Sequence, residues 1–531
     1  MAGDVEALVL LVVLGATVLV GTTIGGRYRV APPVLLIGMG ALLALIPPLS
    51  HVVLAPEVVL VLFLPAIIYR EALVTSLREV RNNLVVIALL SVVLVGLTTF
   101  TVAVTAQALG VDPTAAWVLG AVLAPTDAAA VSGLAKRMPR RLLTTLHAES
   151  IINDGTALVL FAVTVGVLVG DSVPSPLDLL GEISLSFVGG IVAGLVVGLI
   201  VVQLRRHVDD PLREGALSVL TPFGAFLLAE VFHASGVLGT VVAGLVLAYA
   251  GPRVIRARSR VLAYDFWDLS TFLINGGLFV LLGMQIPRAV RSVTSVSTPR
   301  ALVIALVVTL VVVGTRMAWV LFTPYVFRLV YRGKAARPEN RVPWRIRVVA
   351  GWSGFRGAVS LAAALAVPLA MTNGQPVGER DLIIFATALA ILSIMLVQGT
   401  TLPLVVRWAG LSGDPQRVGE VRQARIRAGE AGLAALPEVA ADVGADEDVV
   451  ARVRTDYQAL LDDVRAADDE ECGTPQAREL ERQLRLGVLE RKRRELTRMR
   501  DANEIDDVVL RELQAVLDIE EIRLLGPTTP E

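Results

Sequence analysis

The chain has 531 residues, 54% hydrophobic and only 18% charged, with a formal net charge of −1. Apolar stretches of ~20 residues recur through its first three quarters, each long enough to cross a hydrocarbon core of about 30 Å; this excludes a soluble globular protein. The near-zero charge conceals a split, roughly +9 over residues 1–411 and −10 over 412–531, and the single Cys472 excludes an internal disulfide framework and any multi-cysteine metal site.

Hydropathy predicts about thirteen spans, at 5–24, 33–48, 52–69, 84–109, 115–135, 142–169, 182–204, 215–233, 235–250, 264–286, 300–330, 348–371 and 381–408. The first has no basic n-region and no small-residue cleavage site, so it reads as a retained transmembrane helix. Alternate loops sort by charge. One set holds Arg27/Arg29, Arg70/Arg78/Arg81, Lys136-Arg137 with Arg140-Arg141, Arg205-Arg206, Arg253 to Arg260 and Arg328 to Arg347. The other set is neutral or acidic, except for three arginines between Arg288 and Arg300. The positive-inside rule makes the basic set cytoplasmic, with the N-terminus outside and the tail inside.

The fifth span contains Pro125-Thr126-Asp127. A mid-span proline breaks the helical ladder, and broken helices at the midplane are where transporters build ion sites. Thr126 offers a carbonyl and a hydroxyl there, and Asp127 is either an ion ligand or a cap on the second half-helix. The sixth span carries Glu149-Ser150-Ile151-Ile152-Asn153-Asp154 in otherwise apolar surroundings. An ionised group at that depth costs at least ~3 kcal/mol, so two carboxylates point to a bound or carried ion. At about 100° per residue, Ser150 and Asp154 share one face, and Glu149 and Asn153 share the adjoining one. A hydroxyl and a carboxylate one turn apart form an oxygen half-site for a monovalent cation that a proton can also occupy.

The eleventh span buries Arg316, which needs a carboxylate, and Glu149 is the expected partner. The twelfth span holds Gly351-Trp352-Ser353-Gly354-Phe355-Arg356-Gly357, where the glycines permit unwinding and Arg356 can compensate freed carbonyls. An anion at one break and a cation at the other suit crossed, inverted half-helices. From residue 411 onward, leucines such as Leu480, Leu484 and Leu489 recur at helical spacing among Glu/Arg pairs, predicting a small cytoplasmic helical bundle.

These segments resemble the signature of the cation:proton antiporter-1 family of sodium/proton exchangers. The match rests on Pro125-Thr126-Asp127, Glu149 to Gly155 and Phe355-Arg356-Gly357-Ala358, supported by Leu64-Pro65-Ala66 and Asn275 to Gly283. The resemblance implies an all-α polytopic membrane protein: thirteen helices as two inverted six-helix repeats with crossed discontinuous helices, over residues 1–410, plus a cytoplasmic tail at 411–531. It implies a homodimer in the plasma (inner) membrane, with mobile core helices at 84–169 and 300–408. It also implies that Asp154 binds Na+, Li+ or K+ in competition with H+, that Ser150 and Thr126 complete the shell with Glu149 as a further candidate, and that no cofactor is needed. Asn153 stands where electrogenic relatives carry a second aspartate, which implies one-for-one, electroneutral exchange. Ala128 and Ala148 depart from the proline and glycine usual in that family.

Three rival expectations remain open at this level. Gly351-Trp352-Ser353-Gly354 matches a G-x-S-G pattern and allows an intramembrane serine protease, although no histidine clearly occupies a mid-span position to serve as base. A cation channel or a K+/H+ antiporter could use the same acids. His147 and His233 lie near span ends, where they read as hydrogen-bonded interfacial groups, and the loop arginines read as topology signals and not as a nucleic-acid surface.

Overall fold

Prolines and short polar residues set where the helices begin. Asp112, Ser175 and Asp210 each cap a helix whose first residue is proline; Ser175 and Asp178 form a reciprocal capping box. Each cap oxygen accepts from backbone N–H groups that the first turn leaves unpaired.

The computed structural model describes residues 2–28, 31–47, 49, 56–75, 77–128, 138–170, 175–293, 295–330, 343–411, 415–465, 475–502, 504 and 507–525. Contacts divide the chain into Met1–Gly413 and Asp414–Glu531. The first unit contains α1 (Ala2–Tyr28), α2 (Pro32–Leu43), α3 (Leu64–Val74, entered through a π-helical stretch, Val58–Phe63) and α4 (Leu77–Ala88). A second π-helical stretch, Leu89–Val93, joins α4 to α5 (Leu94–Ala108). There follow α6 (Pro113–Leu123), α7 (Arg140–Val169), α8 (Pro176–Arg205), α9 (Pro211–Val231), α10 (Gly236–Val254) and α11 (Ala257–Ser292). The unit closes with α12 (Thr298–Val330), α13 (Trp344–Trp352), α14 (Ala358–Ala366) and α15 (Arg380–Trp408). Among the described residues nine helices are long and apolar enough to cross a membrane.

Helix falls within every predicted span, but the seams differ. The fifth span is helical only to Leu123, and the rest of its predicted range, from residue 129, lies outside the described residues. The twelfth is split into α13 and α14, and α14 stops at Ala366 because Val367 precedes Pro368. α3 and α11 overrun their predicted ends, since hydropathy senses the membrane and not the helix.

The packing repeats with a period of seven spans. α2 crosses α11 with backbone against backbone: a Cβ at Gly40 would strike the Val280 carbonyl, and one at Gly283 the Ile37 carbonyl. Seven spans away, α10 crosses α3, with Gly244 against Tyr69 and Ala72. Likewise α4–α5 packs on α6 and α7 as α12 packs on α13 and α15. The first six spans thus make the contacts that the last six make. α8 lies between the repeats and packs along α10 through Gly190, Gly194 and Gly198.

The acidic and neutral loops gather at one end. Thr372 donates to the Val169 carbonyl, Asp112 N–H to Glu379 and Ser295 N–H to Asp381. The arginine excess in this set has a local cause: Arg300 donates to the carbonyls of Leu109 and Gly110 beyond α5, and Arg291 to that of Pro287. These side chains cap helix ends.

Among the described residues the second unit holds two antiparallel pairs, α16 (Pro415–Val443) with α17 (Glu447–Arg465) and α18 (Pro475–Asp501) with α19 (Asp507–Leu525). Leu461 packs at Gly429 in the first pair, while Leu489, Leu510 and Leu517 are buried in the second. Arg493 bridges Asp518 and Glu521. Such exposed pairs add little individually, so the leucines carry most of the association.

Candidate cation site

The two broken spans cross. Pro125 cannot supply a helical N–H, and Gly354 and Gly357 flank a non-helical segment after α13. Where the two segments meet, Asp127 N–H donates to the Phe355 carbonyl at 2.9 Å. Arg356, 1% exposed, donates from Nε to the Leu123 carbonyl (3.0 Å) and from Nη1 to the Gly354 carbonyl (2.6 Å). Its charge therefore answers the carbonyl end of α6. The Asp127 carboxylate lies against Gly357, the residue capping α14, so closely that any Cβ there would collide with it. Each break is compensated by a side chain of the other span. Asp127 thus meets the start of α14; the second half of its own span, which it was expected to cap, lies outside the described residues.

α7 staples the crossing from one side. Ser150 Oγ donates to the Thr126 carbonyl (2.8 Å) and accepts from Ala128 N–H (3.1 Å). Asn153 Nδ2 donates to Thr126 Oγ1 (2.7 Å), which in turn donates to Glu149 Oε1 (3.4 Å). Glu149 faces Arg316 as a bidentate pair, with Nη1 to Oε1 and Nη2 to Oε2, the latter at 3.1 Å. Arg316 Nη2 also donates to the Ala350 carbonyl (3.3 Å). Glu149 is thus committed to the protein, whereas the amide oxygen of Asn153 is buried with no partner among the described residues.

Asp154 differs. Its carboxylate has no hydrogen bond to a described residue, and it borders two cavities. The larger, of about 560 Å³, is also lined by Thr126, Asp127, Ser150, Glu71 and Asn275. The smaller, of about 210 Å³, is lined by Leu158, Phe161, Val359, Ala363 and other apolar residues. One wall of Asp154 is therefore polar and the other greasy. Oxygen groups converge on the polar side, a donor set that suits a hard monovalent cation.

Glu71 and Asn275 were not among the predicted site residues. Glu71 sits where the third span was expected to have ended, but α3 runs on to Val74 and carries it round. Leu64, Ile68 and Glu71 follow helical spacing and all line the larger cavity. Extending that period past Tyr69 is the signal that finds Glu71. Ser353 Oγ, the proposed nucleophile of the hydrolase alternative, donates to the Val349 carbonyl one turn back (2.7 Å).

Crossed, mutually compensated half-helices beside a carboxylate between two cavities define a secondary ion transporter. The chain belongs to the transmembrane sodium/hydrogen exchanger family, whose model matches residues 14–408. It is similar to an uncharacterized Na(+)/H(+) exchanger of Mycobacterium tuberculosis, at 52% identity over 100% of this chain and 98% of that protein. It is also similar to the Na(+)/H(+) antiporter ApNhaP of Aphanothece halophytica, at 30% identity over 77% of this chain and 75% of that protein. The sodium proton antiporter MjNhaP1 of Methanocaldococcus jannaschii shares the fold, with a TM-score of 0.58 at 21% identity over 75% of this chain and 98% of the solved one. The chain is a multi-pass membrane protein and a cation/proton antiporter.

Proposed function

We propose that the protein exchanges Na+ for H+ one for one, with Asp154 as the group that binds either. The observation that carries this is the contrast between two carboxylates on one helix: Glu149 is consumed by Arg316, while Asp154 faces cavity on both sides with no hydrogen bond to a described residue. Ser150, Thr126 and Glu71 supply further oxygens, Asp127 and Arg356 balance the half-helix ends, and Asn153 contributes no charge. One carboxylate that releases a proton to take a cation moves no net charge per cycle.

The alternation of loop charge supports an outside N-terminus and a cytoplasmic tail in the plasma (inner) membrane. On that orientation the larger cavity opens toward the cytoplasmic half, since Ser150 precedes Asp154 on a helix that starts inside. The two-repeat packing supports a division into a dimer-forming set of spans and a mobile core at 84–169 and 300–408, and we propose a homodimer.

The test uses purified protein in proteoliposomes, with collapse of an imposed pH gradient followed on adding Na+, Li+ or K+. We expect exchange that is fastest with Na+, unchanged when an ionophore clamps the voltage, and abolished by Asp154→Asn. Full exchange in Asp154→Asn overturns the assignment. Preference for K+ overturns the choice of ion, and a rate that follows the clamped voltage overturns the stoichiometry.

A further inference from the structure

We propose that Asn275 is a cation-selecting ligand: a neutral amide oxygen that reaches the transported ion from α11. This rests on Asp154 as the exchanging group and adds a residue to its shell.

α11 is 36 residues long and Asn275 lies at its middle, the most apolar depth the helix reaches. A carboxamide at that depth is costly unless it is hydrogen-bonded, so midspan asparagines normally bridge to another helix. Asn275 does not: no hydrogen bond joins its carboxamide to any described residue. Its neighbour Gly276 is packed on Val18 and Leu278 is buried, which fixes the backbone on either side. The side chain instead lines the larger cavity, together with Asp154, Ser150, Asp127 and Glu71. Of those polar groups it alone carries no titratable or hydroxyl proton and lies on neither broken span nor on α7.

A carboxamide oxygen is a hard, neutral donor. It attracts a monovalent cation without attracting a proton to itself. Asp154 cannot separate those two affinities, because one charge serves both. Asn275 can, and its position on another helix sets the cage size from the far side of the ion.

The test measures exchange by the full-length protein in proteoliposomes across concentration series of Na+, Li+ and K+ at alkaline pH, followed by a pH profile. In Asn275→Leu the apparent KM for Na+ should rise about tenfold, the magnitude of one lost hydrogen bond to a charged group. The Na+/K+ preference should change, with kcat and the acidic limb of the pH profile held. Asn275→Asp should lower KM and move the pH profile upward, because a further carboxylate beside Asp154, Asp127 and Glu71 raises the affinity of Asp154 for both ions. Asn275→Gln should recover part of the wild-type preference. Unchanged KM and unchanged ion preference in both Asn275→Leu and Asn275→Asp overturn the proposal. So does a pH shift in Asn275→Leu without a KM change, which would make the amide a donor to Asp154. If the leucine variant fails to fold by size exclusion, Asn275→Ser and Asn275→Asp carry the same readouts. Asp154→Asn, run in parallel, must be inactive with every ion; if it exchanges, the underlying site is wrong whatever Asn275 does.

Discussion

Arg316 and Glu149 meet as a bidentate pair inside the bundle, each 1% exposed. Removing one partner strands the other charge in a low-dielectric interior, which costs ~3–5 kcal/mol. Glu149→Gln and Arg316→Met should each strongly lower the melting temperature in detergent, whereas the double variant Glu149→Met with Arg316→Met should recover much of the loss. A double variant no more stable than the singles would show that the pair is not a closed unit.

Gly357 is where a methyl group meets the Asp127 carboxylate. Gly357→Ala should displace Asp127 from the start of α14 and abolish exchange, with a stability loss of about 1–3 kcal/mol. Gly374 is the comparison: its φ is +81° but nothing lies within 4 Å of an added Cβ. Gly374→Ala should cost about 1–2 kcal/mol of backbone strain and leave exchange intact. Transport assays and thermal melts on the two variants separate a built-in contact from ordinary glycine strain.

Ser150 ties α7 to the fifth-span break through the Thr126 carbonyl and Ala128 N–H. Ser150→Ala removes both hydrogen bonds, each worth about 1 kcal/mol. With Ser150 and Thr126 in the proposed ion cage, the substitution should raise the apparent KM for the cation more than it lowers the melting temperature. Equal loss of fold and affinity would make Ser150 a purely structural staple.

In the proposed cycle proton and cation compete for Asp154, which fixes the sign of the expected pH dependence. Below the pKa of Asp154 the apparent KM for Na+ should rise about tenfold per pH unit, while the rate at saturating Na+ changes much less. Steady-state exchange at several fixed pH values reads this directly. A maximal rate that collapses while KM stays constant would place the controlling proton elsewhere.

Another pH effect belongs to a loop. The Thr114 hydroxyl, followed by the Ala115 and Thr114 N–H groups, holds the Asp112 carboxyl below the usual range despite some burial. A lowered folded pKa stabilises α6 above the ordinary aspartate value of ~3.9 and loses that support as pH falls through the depressed value. Protection of the amides over Thr114–Trp117, measured against their intrinsic exchange rates at each pH, should therefore fall on acidification in the wild type. In Asp112→Asn that loss of protection should be largely absent.

The breaks were legible because Pro125, Gly354 and Gly357 act locally, and the partner of Arg316 was legible because a buried charge demands an opposite one. The class followed from the length of the apolar runs. What was not legible is long-range register. Nothing in the chain says that Asp127 will meet Gly357 across 230 residues, because Asp127 is equally suited to its own half-helix. Nothing marks Asn275 off within its helix either, since a midspan amide reads the same whether it bridges helices or lines a cavity. Glu71 was hidden by Arg70, whose charge suggests a span end although the helix continues for another turn.

The contacts at Gly40 with Val280 and Gly283, and of Gly244 with Ala72, leave no room for padding between neighbouring helices. A joint without side chains behaves as a weld: sliding it by even one residue drives a Cβ into a carbonyl. Where α7 meets α3 and α10, by contrast, Leu64, Ile68, Ile151, Val237 and Val241 interpose branched aliphatic side chains. Such surfaces trade one van der Waals partner for another at little cost. The molecule thus separates rigid seams from lubricated ones, and the helix bearing Asp154 runs along a lubricated one.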